Sequence, residues 1–298
     1  MSLLSTLWGQ AKRCNDPDAR LLPMRLRPNA VRSPSDARSF LFVPATRVDL
    51  VEKAIASGAD EVIVDLEDSV AKADKQQARN DLSDLRPSRS LLVRINGPRS
   101  DFFGDDLNLV HIIDWAKGMV VPMVESTQDL RSVQESISRA LQLFPLVETA
   151  TGVSAADTIA SAGAARIMFG TADLAAELGV QPESNIFAFA RSKLIIASAS
   201  AGLPAPIDGP TLSFRPEERT RSDAQAALDL GMGGKLCIHP SQVPIVNEVF
   251  APSGEEVVWA RDIVAASRLH EEGVFVVDGE MVDAPVIARA YRILGQAL

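Results

Sequence analysis

Eight short apolar runs recur along the chain, at 39–43, 61–66, 91–95, 118–121, 144–147, 166–169, 205–207 and 235–238. Just past their C-terminal ends stand polar or charged residues: Arg47, Glu67 with Asp68, Asn96, Glu125, Glu148, Asp173, Asp208 and His239. Between the runs the apolar spacing becomes helical. The stretch 48–57 carries Leu50, Val51, Ala54 and Ile55 and closes at Gly58, and 75–85 stops before Pro87. The stretch 127–143 sets Leu130, Val133, Ile137 and Leu141 on one face. Further helices are expected over 153–162, over 186–200 before Gly202, and over 216–230, with Pro216 in the first turn and Gly231 past the end.

A strand followed by a helix, repeated, requires a parallel sheet. Eight such units predict an α/β fold, a (β/α)8 TIM barrel whose active site lies at the C-terminal ends of the strands. No Gly-x-Gly-x-x-Gly motif or P-loop appears where a nucleotide-binding open sheet would need one. The barrel is expected over 36–250, with an N-terminal arm over 1–35 and a C-terminal helical or lid extension over 251–298. The arm sets Lys12, Arg13, Arg20, Arg25, Arg27 and Arg32 against Asp16 and Asp18, punctuated by Pro17, Pro23, Pro28 and Pro34. Packing on a neighbouring subunit and simple solvation both fit it. The extension reads as a helix over 255–268, a hairpin over 276–283 and a helix through Leu294, serving as a lid or as packing.

Composition narrows the function. The 298 residues suffice for one such domain with trimmings, and a net charge of −9 argues against nucleic acid and anionic membrane surfaces. Cys14 and Cys237 offer neither a disulfide framework nor metal-ligand spacing, and Cys237, inside the last expected strand, reads as a buried thiol. No apolar run approaches a membrane span and no signal-peptide core opens the chain, so a cytoplasmic protein is expected.

Glu148 and Asp173 follow neighbouring strands five and six, which points both carboxylates into one bowl. Two such oxygens without nearby His or Cys suit a hard cation, Mg2+ ahead of Zn2+; helix capping is the alternative. Asp65, Glu67 and Asp68 crowd one short segment and repel unless a cation or an arginine is close. Arg94, between Val93 and Ile95, reads as a clamp on a substrate carboxylate or enolate oxygen, or as the ion-pair partner of Asp65 or Glu67. Arg47 is either a grip on phosphate or carboxylate, or a plain surface arginine. Glu125 reads as a helix cap, Asp208 as part of a turn with Gly209 and Pro210, and His239 as a hydrogen-bonded structural residue. Three histidines without a triad pattern give hydrolysis of that kind little support.

The ordered motifs SFLFVP at 39–44, GADEVIVDLEDSV at 58–70, VRIN at 93–96, VETATGV at 147–153, FGTADLA at 169–175 and IHPSQ at 238–242 resemble one known group. It is the citrate lyase beta-subunit and malyl-CoA lyase group of the HpcH/HpaI aldolase superfamily, and the similarity runs from about Ser39 to the C-terminus. The resemblance implies a Mg2+-dependent barrel, Mn2+ being an alternative ion, that makes or breaks a carbon–carbon bond beside a thioester carbonyl. Its substrates would be 3-hydroxyacyl thioesters of coenzyme A or of an acyl carrier protein, with a 2-oxo acid as product. Under it Glu148 and Asp173 are metal ligands, Glu67 and Asp68 hold the metal's waters, and Arg94 binds the substrate carbonyl or carboxylate. Asp283, in MVDAP at 281–285, becomes an acid/base offered to a neighbouring subunit of a trimer or hexamer. Two positions depart from the pattern: Ala45 replaces a glycine in the first loop, and Met123 replaces a lysine after Pro122. These departures touch CoA binding and the choice of acid. A Mg2+-dependent pyruvate-type aldolase on free acids and aldehydes, and a non-catalytic metabolite-binding subunit, are the competing expectations.

Overall fold

A computed structural model describes residue 34 and residues 36–181, 184–213, 215–269 and 273–296. The N-terminal arm up to residue 33, with Cys14, lies outside the described residues. The eight apolar runs become strands β1 (Ser39–Pro44), β2 (Glu61–Asp65), β3 (Leu91–Arg94), β4 (Ala116–Val121), β5 (Gln142–Val147), β6 (Met168–Phe169), β7 (Ile207–Asp208) and β8 (Gly234–Cys237). Each pairs in parallel with the next and β8 pairs with β1, so the barrel expected from the alternation closes.

The helices are α1 (Val51–Ala56), α2 (Lys75–Asp84), α3 (Phe103–Ile112), α4 (Thr127–Ser136), the short α5 (Ala150–Ser154) and α6 (Ala156–Ala160), α7 (Thr171–Leu178), α8 (Ile186–Ser200), α9 (Glu217–Leu230) and α10 (Gln242–Val249).

Strand alternation sorts the core into two layers. Phe40, Ile63, Leu92, Val120, Phe144, Leu146, Met168, Ile207 and Leu236 fill the barrel as one cluster. Their neighbours Leu41, Val43, Val62, Val64, Val93 and Val147 face the helices in a second. Two residues beyond the inward Phe40, Ile63, Leu92 and Leu146 come Phe42, Asp65, Arg94 and Glu148. The same alternation that buries the apolar layer therefore delivers polar groups to the C-terminal mouth.

Several boundaries differ from the sequence expectation. The helix expected over 127–143 ends at Ser136, where Ile137 turns extended (φ −116°, ψ 115°). Gln142 and Leu143 are taken by β5, which pairs them with Gly118 and Met119. A Cβ on Gly118 would come within 2.7 Å of the Gln142 carbonyl, so this approach requires glycine. The helix expected over 153–162 is two short ones broken at Ala155 (φ −89°, ψ 6°). Arg166 lies before β6 rather than in it, donating to the carbonyls of Ala205 and Ala37 at 2.6 Å each.

By its contacts the chain divides into the unit Val31–Phe250 and a second one over Ala251–Leu298. In the latter, α11 (Gly254–Ser267), the hairpin β9 (Phe275–Val277) and β10 (Glu280–Val282), and α12 (Ala284–Gln296) enclose their own cluster around Ala260, Ile263 and Val282. Asp278 and Gly279 make the hairpin turn with φ of 49° and 87°, the positive pair that a two-residue connection demands.

Candidate active site at the barrel mouth

Register places the first pair. Asp65 and Arg94 are directly opposed on β2 and β3, and the guanidinium grips the carboxylate with both arms, at 2.6 and 2.7 Å. Arg94 also lies 2.8 Å from Glu67 and 3.4 Å from Asp68, with its guanidinium 4.8 Å from the Phe42 ring centre. Burial pushes the Asp65 carboxyl up, yet the hydrogen bonds and charge of Arg94 outweigh it and hold the group below its usual range. On the arginine, burial acts the other way and is overcome by the hydrogen bond to Asp65 and the charges of Asp65, Glu67 and Asp68. Arg94 is thus both the ion-pair partner and the cation at the mouth.

Glu148 continues the inward face of β5 and is almost wholly buried. Its Oε1 accepts the Met123 amide at 2.8 Å, and its side chain lies over Gly170, where a Cβ would meet it at 2.4 Å. Burial, then the charge of Glu67 and that of Asp173, raise the Glu148 carboxyl well above the usual range against the pull of Met123 and Arg94. Glu67 is pushed up to about 8, by burial first and by the charges of Asp68, Asp65 and Asp173, with Arg94 opposing. Its Oε2 is buried beside Arg94 yet outside hydrogen-bonding alignment, so it is an orphaned acceptor. Asp173, expected ahead of a helix, sits exposed inside the first turn of α7.

Glu67, Glu148 and Asp173 therefore feel one another's charge, and a single arginine, shared with Asp65 and Asp68, does not balance them. A divalent cation would. Among the described residues no group of three or more His, Cys, Asp or Glu side chains is arranged to hold a metal ion. Two carboxylates with positions left for water and substrate are the way Mg2+ is commonly held, so the donor set fits that ion. Beside the cluster opens a cleft of ≈ 580 Å3 lined by Glu67, Asp68, Lys72, Arg99, Phe102 and Met123 among others.

The remaining sequence candidates fall elsewhere. Arg47 lies in the 3-10 turn after β1 and pairs in both arms with exposed Asp49, 2.8 Å each. Asp283 belongs to the second unit, where its Oδ1 accepts the Val286 amide at 3.1 Å and caps α12. Glu125 is not the cap of α4: Ser126 and Asp129 form that box, and Glu125 pairs with Arg99 at 2.6 Å. Asp208, expected as part of a turn with Gly209 and Pro210, ends β7 instead. It is fully buried, held by Lys235 at 2.7 Å and Arg191 at 2.6 Å, partners that the adjacent Gly209 and Pro210 hide from a local reading. His239 is exposed and bonds Ser241 at 2.8 Å, and Cys237 is a buried free thiol.

Sequence reasoning missed the Met123 amide and Lys75, and marked Asn96 only as a polar strand-end residue; Lys75 and Asn96 hold the backbone of the Glu67 segment. The one local sign at Met123 is structural, a left-handed φ of 54° on a non-glycine residue.

Residues 38–240 match the family model for HpcH/HpaI aldolase/citrate lyase. A citrate lyase subunit beta-like protein of Mycobacterium tuberculosis is 36% identical over 87% of this chain and 94% of its own. Two Cereibacter sphaeroides proteins are also similar. An L-malyl-CoA/beta-methylmalyl-CoA lyase is 33% identical over 93% of this chain and 98% of its own, and a (3S)-malyl-CoA thioesterase 34% over 87% and 94%. Among solved structures, protein CitE of Mycobacterium tuberculosis in complex with magnesium, acetoacetate and coenzyme A superposes with a TM-score of 0.76, at 35% identity over 88% of this chain and 99% of that one. No helix among the described residues is long and apolar enough to cross a membrane. With its closed barrel, its acidic mouth and a matched segment that spans all eight strands, this chain belongs to the HpcH/HpaI aldolase/citrate lyase family.

Proposed function

We propose that the protein is a Mg2+-dependent carbon–carbon lyase that cleaves or forms 3-hydroxyacyl-CoA thioesters of the citryl, malyl or citramalyl type. The observation that carries this is the convergence of Glu67, Glu148 and Asp173 beside Arg94 at the mouth of a barrel of this family. Relatives named for malyl-CoA lyase activity and a neighbour bound to magnesium and coenzyme A support it.

Glu148 and Asp173 are the ligands in this proposal, and Glu67 and Asp68 accept hydrogen bonds from the waters. When bound, Mg2+ supplies Lewis-acid polarisation of the 2-oxo acid oxygens. Cleavage leaves an enolate, with negative charge on the thioester oxygen. Arg94 faces that oxygen with its plane already fixed by Asp65, so the donor needs no reorganisation as charge develops. Asp283 moves the proton at the α-carbon or the hydroxyl, delivered by the 251–298 extension as a lid from a neighbouring subunit of a trimer or hexamer. Arg47 is assigned to a phosphate or carboxylate of the substrate, for which it must leave Asp49. A cytoplasmic setting agrees with the free thiol of Cys237.

The test is a panel of citryl-, malyl- and citramalyl-CoA incubated with enzyme and Mg2+, following 2-oxo acid and acyl-CoA products. Release of 2-oxo acid from one of them, lost in Glu148→Ala, is expected. Free CoA without 2-oxo acid would make the enzyme a thioester hydrolase, turnover confined to free acids and aldehydes a pyruvate-type aldolase, and neither turnover nor Mg2+ binding a non-catalytic subunit.

A further inference from the structure

Glu67 is not held by its side chain alone; both peptide planes that flank its Cα are fixed from behind. The Leu66 carbonyl accepts Lys75 Nζ at 2.8 Å and Asn96 Nδ2 at 3.1 Å. The Glu67 carbonyl accepts the same Lys75 Nζ at 3.0 Å, and the Glu67 amide donates to Asp65 at 2.9 Å. With the carbonyl before and the carbonyl after both tied to one ammonium, φ and ψ of Glu67 are restrained. The direction of its Cα–Cβ bond follows, which narrows the arc its carboxylate can reach.

The anchors are themselves locked. Lys75, at the start of α2, is buried with its ammonium 5.4 Å from the Phe102 ring centre. Asn96, just past β3, donates through its amide and its side chain to Asp106 Oδ2 at 2.8 and 2.6 Å. Asp106, on α3 and fully buried, takes Arg79 of α2 at 3.0 Å on its other oxygen. Burying an ammonium, a guanidinium and a carboxylate is costly unless each is satisfied. Apolar side chains could cover two loop carbonyls only by leaving them unpaired. A polar network spanning α2, α3 and β3 that ends on the two carbonyls around Glu67 fixes one residue's orientation.

We infer that Lys75 and Asn96 are positioning residues: they clamp the peptides on either side of Glu67 and aim its carboxylate at the space beside Arg94 and Glu148. The catalytic consequence rests on the lyase assignment above; the positioning itself does not.

Lys75→Met keeps the bulk and removes the donor, and Lys75→Arg restores one. In Lys75→Met, amide hydrogen exchange at Glu67, Ser69 and Val70 should accelerate while α9 stays protected. Turnover should fall about 10- to 100-fold with KM for the thioester changed by less than about threefold. Lys75→Arg should recover at least part of both. Asn96→Ala, the milder variant should Lys75→Met fold poorly, should loosen the same amides. The double variant should lose less than the sum, since both donors share the Leu66 carbonyl. Unchanged exchange at those three amides overturns the clamp, and so does acceleration spread evenly over the barrel without recovery by arginine. A wild-type protein inactive on every thioester defeats the lyase assignment and leaves the exchange measurement to decide the clamp. An active wild type with turnover unchanged in a loosened Lys75→Met would show that Glu67's aim does not serve the reaction, overturning the catalytic half.

Discussion

Cation binding at this mouth should expel protons, and the number can be worked out. The Glu67 carboxyl is pushed up to about 8, so at pH 7 it carries about 0.9 of a proton, and at pH 9 about 0.1. Glu148 is raised well above its usual range as well and adds to the count at pH 7. A divalent ion beside these groups favours their charged forms, so binding must drive the protons off. Between about one and two protons should therefore leave per Mg2+ at pH 7, fewer as pH rises, with apparent affinity climbing roughly ten- to hundredfold per pH unit near neutrality. Isothermal titration of the protein with Mg2+, repeated in buffers of different ionisation enthalpy, reads the count directly. Glu148→Gln should cut it to the Glu67 share and weaken binding. Tight Mg2+ binding with fewer than about 0.2 protons released at pH 7 would refute the argument, because the carboxylates would then already be ionised without the ion.

The same two carboxyls make the metal-free protein sensitive to pH. Because their native values are raised above the unfolded one near 4.3, their contribution is full below that value and is lost as pH rises through about 8. The melting temperature of metal-free protein should drop between pH 5 and 8 and be restored by Mg2+; a flat profile would contradict it. Gly170→Ala puts a Cβ 2.5 Å from Glu148 Oε2, so Mg2+ affinity should weaken about 10- to 100-fold; titration at wild-type affinity would show that Glu148 has room to move. Asp65→Asn should leave Arg94 without its bidentate partner and destabilise the fold by roughly 3–5 kcal/mol, checked by urea unfolding. If Asp283 serves a neighbour, mixed oligomers of Arg94→Ala and Asp283→Ala subunits should regain activity that neither parent has; none, despite proven mixing, would place Asp283 outside the shared site.

The barrel was legible because strand runs and helical spacing alternate eight times. Strands six and seven shrink to two residues each, since Arg166 and Ala205 pair below the sheet instead of within it. The α4 region misled because Ile137 and Leu141 keep helical spacing while reaching the core from an extended segment. α3 and α10 escaped notice, and α7 was expected only beyond Asp173. Acidic first turns, at Asp105 and Asp106 of α3 and at Asp173 of α7, interrupt the apolar signal there. Glu148, Glu67 and Arg94 announced themselves by standing at strand ends. The Met123 amide and the Leu66 and Glu67 carbonyls gave no such sign, because backbone donors and acceptors carry no residue signature and their aim depends on partners far along the chain.

The inward apolar layer of Phe40, Ile63, Phe144 and their neighbours keeps the two charged rims of the barrel apart. Buried Arg166, depressed to about 10 by its burial, answers to Asp36 and Asp60, while Arg94 answers to Asp65, Glu67 and Asp68. The leading charge partners of Arg94 thus sit at the entrance, and those of Arg166 at the opposite rim. Replacing Arg166, which satisfies the Ala205 and Ala37 carbonyls, or breaking the Lys117–Glu61 pair should therefore cost stability first, at positions that hold none of the carboxylates grouped around Glu148.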